Sequence, residues 1–156
     1  METATGERID LGSALVRVSF LVNSIYNEVS REHGVTPQQG KLLCVLMERP
    51  YGMRELGAVL GLAKSSLTGL VDRTAQHGLV RREADPRDAR AVQVAITEPG
   101  GRLAEVFHRD TIRRVEDLSA HLEAADRDRL TDLLGVTVLA AEARGVPLET
   151  DAGPCA

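Results

Sequence analysis

Aromatic residues are scarce in this chain of 156 residues, with two Phe, two Tyr and no Trp. A core must therefore come from Leu, Val, Ile and Ala, which suits helices, and a mainly α fold is expected. With 43% hydrophobic residues the chain can bury one real core, and it is too short for two to be expected. No apolar run approaches the roughly 18 to 20 residues a bilayer crossing needs, so no membrane partner is expected. The opening METATGERID lacks the basic-then-apolar order of a signal peptide, so a cytoplasmic protein is expected. The two cysteines, Cys44 and Cys155, lack metal-ligand spacing, and Cys155 falls in a Gly/Pro-containing tail; neither a structural disulfide nor a zinc site is expected. His33, His77, His108 and His121 are isolated, without the three- or four-residue spacing of a metal-binding helix. No HExxH, GxSxG, GxGxxG or GxxxxGK[ST] occurs, and the pairs Glu32/His33 and His108/Asp110 are helical neighbours with nothing to orient them. The chain does not read as an enzyme, and no cofactor or metal is implied.

Charge is unevenly spread. The net charge is -4, yet Arg54 to Arg90 carries seven basic and five acidic residues, a weakly basic segment on an acidic body. Such a distribution fits a protein of which one face meets phosphate, and also fits ordinary surface sampling.

The apolar residues Leu11, Ala14, Leu15, Val18, Leu21, Val22, Ile25 and Val29 repeat with helical period and predict a long first helix, ended by Gly34. Thr36-Pro37-Gln38-Gln39 is a capping box with proline at the first helical position, opening a second helix whose Leu42, Leu43, Val45, Leu46 and Met47 are core. Pro50 and Gly52 break the chain before a third helix, Met53 to Leu60, with Leu56, Val59 and Leu60 inward. Gly61 makes a tight turn into a fourth helix, from about Ala63 to His77.

On that fourth helix, Ala63, Leu70, Val71 and Thr74 fall within about 60° of the core direction set by Leu67. Ser65, Gly69, Asp72 and Gln76 point the opposite way, with Thr68 and Arg73 on the flanks. Gly78 is the expected helix stop, and LVRREADPRDARAVQVAIT then reads as two strands, Leu79 to Glu83 and Ala91 to Ile96, around the charged tip Asp85-Pro86-Arg87-Asp88-Ala89-Arg90. Val92, Val94 and Ile96 alternate with Ala91, Gln93 and Ala95, as in a half-buried strand. A helix-turn-helix followed by such a hairpin is a DNA-reading unit. Small hydroxyl residues near a helix N-terminus let backbone and side chains approach bases and phosphates, which makes Lys64, Ser65, Ser66, Thr68 and Arg73 candidates. A solvated, self-capping helix end explains the same residues if they are taken alone. Arg87 at the tip is assigned to a narrow minor groove. Arg90 is balanced between contacting DNA and pairing with Asp85 or Asp88 to hold the loop.

The runs TPQQGKLLCVL and MRELGAVLGLAKSSLTGLVDRTAQHGLVRREADPRDARAVQVAITEPG resemble the MarR family of winged-helix transcription regulators over the middle two-thirds of the chain. The DPRDAR wing and the LVDR…HGLV end of the recognition helix carry the likeness. It implies a homodimer held by intertwined first and last helices, with two wings astride a pseudo-palindromic operator. It further implies repression, relieved by a small phenolic or anionic aromatic effector bound between the dimerisation helices and the DNA-reading head. No motif marks that pocket, so no effector residue is named. Three positions depart from the family pattern: Ala63 where a capping Ser, Thr or Asp is common, Gly69 where an arginine is frequent, and Thr74 in place of a core leucine. Oxidant-sensing members use a cysteine near the first helix, which here has none, and Cys44 in its apolar run reads as an inert small hydrophobe. A winged helix turned to protein contacts, without specific DNA binding, stands as the alternative.

After the wing, Thr97 caps a fifth helix bearing Leu103, Val106, Phe107, Ile112, Val115 and Leu118, and a sixth begins at about Asp126 with Leu130, Leu133, Leu134, Val136, Val138 and Leu139. A lone helical hairpin has little to bury these against, so they are expected to find partners across a two-fold axis. The organisation expected is a dimerisation helix over 1–35, a winged helix-turn-helix over 36–97, dimerisation helices over 98–145 and a flexible tail over 146–156.

Overall fold

Six helices and a three-stranded antiparallel sheet make up the computed structural model of the protein, which describes residues 9–145. The tail 146–156, and with it Cys155 on which the disulfide expectation turns, lies outside the described residues. Helix α1 spans Leu11–Glu32, capped by the Asp10 carboxylate, which accepts from the Ser13 N–H at 3.0 Å. Helix α2 spans Pro37–Glu48, and its capping box forms as the sequence predicts: Gln39 N–H donates to Thr36 Oγ1 and Thr36 N–H to Gln39 Oε1. Helix α3 (Met53–Leu60) and helix α4 (Lys64–Gln76) are joined through Gly61, and α4 hands over to the hairpin through Gly78. Both glycines are left-handed, with φ of 63° and 71°.

The hairpin strands are longer than the sequence reading: β2 runs Val80–Asp85 and β3 runs Asp88–Ile96, so the turn is only Pro86 and Arg87. A further strand, β1 (Tyr51–Gly52), goes unforeseen and pairs with β3, Tyr51 opposite Val94, placing β3 in the middle of the sheet. That position explains a departure from the expected alternation. Gln93, Val94 and Ala95 are all buried, whereas Val92 is 49% exposed, because a central strand is covered on both faces near its base and bare toward its tip. Gln93 satisfies its amide by donating from Nε2 to Glu83 Oε1 at 2.9 Å.

Leu42, Leu43, Val45 and Leu46 of α2 pack with Leu56, Leu67, Leu70, Val71, Val80 and Val94 into one core. Val29, Val35, Cys44 and Phe107 form a second cluster where α1 meets α5 (Glu98–Asp117). The Phe107 ring lies flat against Gly40: a Cβ there would fall 2.6 Å from Cζ. Across the same junction His33 Nε2 lies 2.9 Å from Asp110 Oδ2, and Arg114 is bonded to Glu32.

The start of α5 is fastened to the wing. Thr97 Oγ1 donates to the Gly78 carbonyl at 2.7 Å and accepts the Gly100 N–H at 3.2 Å, while Thr97 N–H donates to the Leu79 carbonyl at 3.0 Å. Helix α6 (Ala124–Ala143) is different in kind, since none of its residues is buried.

Candidate nucleic-acid interface

Helix α4 begins bare. Its N-cap Ala63 makes no side-chain hydrogen bond, neither Ser65 nor Ser66 takes over that duty, and the N–H groups of the first turn stay available to an outside acceptor. The sequence places Ala63 toward the core, yet it is exposed, because as the N-cap it has left the helical turn that the wheel assumes. The buried side is otherwise as read: Leu67, Leu70, Val71 and Thr74 are all closed off, and the Thr74 hydroxyl is satisfied by donating to the Leu70 carbonyl at 2.7 Å.

Among the sequence candidates on this helix, Lys64, Ser65, Ser66 and Arg73 are exposed, and Thr68 is half-buried. The Thr68 hydroxyl donates to the Lys64 carbonyl at 2.8 Å, so toward a ligand it offers acceptor lone pairs and a methyl group. Arg73 folds back along the helix until its Nη1 lies 3.1 Å from where a Gly69 Cβ would stand.

At the wing tip the two arginines divide their tasks otherwise than the sequence suggests. Arg87 is the one that meets Asp85: its N–H donates to Oδ1 at 2.8 Å, and its Nε and Nη2 approach the two carboxylate oxygens at 3.3 and 3.4 Å. These contacts hold the Asp85 carboxyl below the usual range, the Arg87 N–H contributing most. The Arg87 side chain is still 83% exposed, so the carboxylate aims it while leaving its outer face to solvent. Arg90 gives only its backbone N–H, to Asp88 Oδ1 at 3.0 Å, and its guanidinium has no partner among the described residues.

Two further arginines brace the unit. Arg82 of β2 donates to Asp72 of α4 at 2.6 Å and links recognition helix to wing, and Arg81 donates to Glu83 and to the Ile96 carbonyl, both at 2.9 Å. Pairing across ten positions leaves no sequence signature, so the roles of Asp72 and Arg82 escape sequence reading. Arg54, which the sequence offers only as one charge among seven, lines the concave surface between α3, α4 and the wing together with Lys64, Thr68, Arg82 and the exposed Val92. That groove, of about 780 Å³, adjoins a second lined by Arg54, Asp85, Arg87 and Val92. Head and wing thus share one cation-edged concavity of a kind suited to a phosphate backbone. Among the described residues no cluster of three or more His, Cys, Asp or Glu could hold a metal ion.

Residues 33–91 match the MarR family. The chain is 27% identical over 132 residues to the HTH-type transcriptional regulator MhqR of Bacillus subtilis, covering 83% of this chain and 90% of that protein. Its fold is similar to that of apo wild-type MarR from E. coli, with a TM-score of 0.72, 28% identity, and coverage of 84% of this chain and 98% of that one. It is likewise similar to CouR from Rhodococcus jostii RHA1, solved with p-coumaroyl-CoA bound, at a TM-score of 0.67 and 28% identity over 80% of this chain and 89% of that one.

Proposed function

We propose that the chain is a winged-helix transcription regulator of the MarR family, a homodimeric repressor that reads a pseudo-palindromic operator and leaves it when a small anionic aromatic effector binds. The observation that carries the reading is the joint placement of α4 and the wing around two adjoining cation-edged grooves, Lys64 of the uncapped first turn of α4 lining one and the exposed Arg87 the other. Lys64, Ser65, Ser66, Thr68 and Arg73 would meet the major groove, and Arg87 with Arg90 the flanking minor groove.

The dimer is supported by the residues that one copy leaves uncovered. Leu133, Val136 and Leu139 of α6 are 59%, 66% and 66% exposed, and Leu11, Val16 and Phe20 of α1 are 77%, 53% and 66% exposed. Two copies placing these faces together would put residues 1–35 and 98–145 in a dimerisation body and 36–97 in the reading head. Two heads so joined would fall on successive major grooves, about 34–36 Å apart. Repression follows from occupancy, since a dimer seated on a promoter excludes polymerase. The effector proposal leans on the bound ligand of CouR and on the rule that a ligand shifts an equilibrium only by its differential affinity for two states.

Selection from a random duplex library, followed by affinity for the enriched duplex at two salt concentrations, tests the proposal. The expected result is an inverted repeat with half-sites one turn apart and affinity that falls steeply with salt, with aromatic carboxylates or their thioesters weakening binding. No enrichment and no salt dependence would instead assign the winged helix to a protein partner.

A further inference from the structure

Gly69 stands in the middle of α4, on the side turned from the core, in ordinary right-handed helical backbone. A glycine there weakens a helix relative to alanine, and no turn requires it. Crowded glycines elsewhere in the helices make room for the interior. A Cβ at Gly40 would strike the Phe107 ring at 2.6 Å, one at Gly100 the Leu79 carbonyl oxygen at 2.0 Å, and one at Gly57 the Leu62 carbonyl oxygen at 3.2 Å. At Gly69 the neighbours are of another kind: a Cβ would meet only the guanidinium of Arg73, Nη1 at 3.1 Å and Cζ at 3.9 Å.

Arg73 lies one turn further along and leans toward the helix N-terminus, as long helical side chains do, so its guanidinium crosses the bare backbone at Gly69. The nearest carboxylate in sequence, Asp72, is bonded to Arg82 at 2.6 Å and does not draw Arg73 aside. The guanidinium makes no hydrogen bond or ion pair among the described residues and is exposed. Ser65 and Ser66 offer single point donors on this side of the helix, whereas Arg73 has a planar fork.

We propose that Gly69 is a specificity-determining position: its missing side chain is the slot that lets Arg73 lie across the outer face of α4 and read a guanine through O6 and N7. This deepens the operator-reading function proposed above and rests on it. The fork pairs with guanine only when both N–H groups are aligned, so a side chain at position 69 acts by displacing the guanidinium and costs base discrimination while leaving charge, and hence phosphate attraction, unchanged.

The test uses the full-length protein, the duplex it enriches from a random library, and a panel in which each base pair of that duplex is replaced in turn. For the wild type, one G·C pair per half-site should be worth about 5- to 100-fold in affinity. Gly69→Leu should reduce that preference to less than about twofold and Gly69→Ala should weaken it partially, while affinity for random duplex stays within about twofold for both. In an Arg73→Ala background, Gly69→Leu should have no further effect at that pair, because the slot then serves nothing. Both Gly69 variants are better helix formers than the wild type, so their thermal midpoints should hold or rise, which separates lost reading from lost folding. If Gly69→Leu keeps every base preference, or acts equally with and without Arg73, the slot is overturned and the regulator reading stands. If the wild type enriches no duplex, both fall together.

Discussion

The head and the end helices of this chain treat their apolar side chains in opposite ways. From Leu42 to Val94 the leucines and valines of α2, α3, α4 and the sheet close on one another, with Leu42, Leu56, Val71 and Val94 at 0% exposure. In α6 a helix equally rich in Leu and Val buries nothing. At roughly 25 cal/mol per Å² of apolar surface, an uncovered helix of 20 residues forgoes several kcal/mol of stabilisation, and an isolated helix of that length is marginal in water. The head completes its packing within one chain, and the end helices leave theirs open. Composition does not separate the two regions; contact with the rest of the chain does.

That contrast can be broken from either side. The largest effect is expected at Gly100, where a Cβ would sit 2.0 Å from the Leu79 backbone oxygen. Gly100→Ala has to part α5 from the wing and should lower stability by more than about 4 kcal/mol, measured by denaturant unfolding. On the other side, Val136→Asp places a charge on the bare face of α6, 66% exposed in one copy. In a dimer each copy would bury that charge at a cost of about 3 kcal/mol or more, so sedimentation should show monomers at micromolar concentration, while one copy alone should tolerate it. A variant that still sediments as a dimer would remove α6 from the interface.

Gly40→Ala sharpens the contrast within the head, because its Cβ would enter the Phe107 ring that joins α2 to α5. A loss of about 1–3 kcal/mol is expected, since the ring can shift where a backbone oxygen cannot. Arg87→Ala should leave stability alone, weaken binding to every duplex and reduce the salt slope by about 1. Unchanged affinity would remove the wing tip from the interface.

The smallest effect concerns pH. Asp110 is held below its ordinary carboxyl value, first by its hydrogen bond with His33, and Glu32 is lowered by Arg114. A carboxyl with a depressed folded value stabilises the fold above its unfolded value of about 4 and gives that up as pH falls through the folded one. The thermal midpoint of Asp110→Asn should therefore fall less steeply than the wild type's between pH 5 and pH 3. Parallel curves would show that the α1–α5 junction does not depend on the pair.

How far the sequence could be read depended on the range of the interaction. The Thr36/Gln39 capping box and the stops at Gly61 and Gly78 are local, and each formed where residue identity placed it. Strand β1 has two residues, too few to show a period, and its pairing with β3 turned the expected alternation at Val92 and Gln93 inside out. Ala63 was misplaced because a helical wheel assumes a helix that has already begun. In the interface, the candidate residues of α4 could be picked by face, whereas the Arg87–Asp85 clasp and the Asp72–Arg82 brace depend on the three-dimensional turn and on contacts across ten positions. Gly69 looked like a missing arginine in sequence, and only the path of the Arg73 side chain gives the gap a use.

Thr97 joins the turn after α4, the root of the hairpin and the start of α5 through three hydrogen bonds, to Gly78, Leu79 and Gly100. Mechanically this is a welded elbow. Helix α5, with 20 residues, is an arm about 30 Å long, so a tilt of about 5° at the elbow corresponds to about 2–3 Å at its far end. With no slack at Thr97, the wing and recognition helix turn with that arm as one piece.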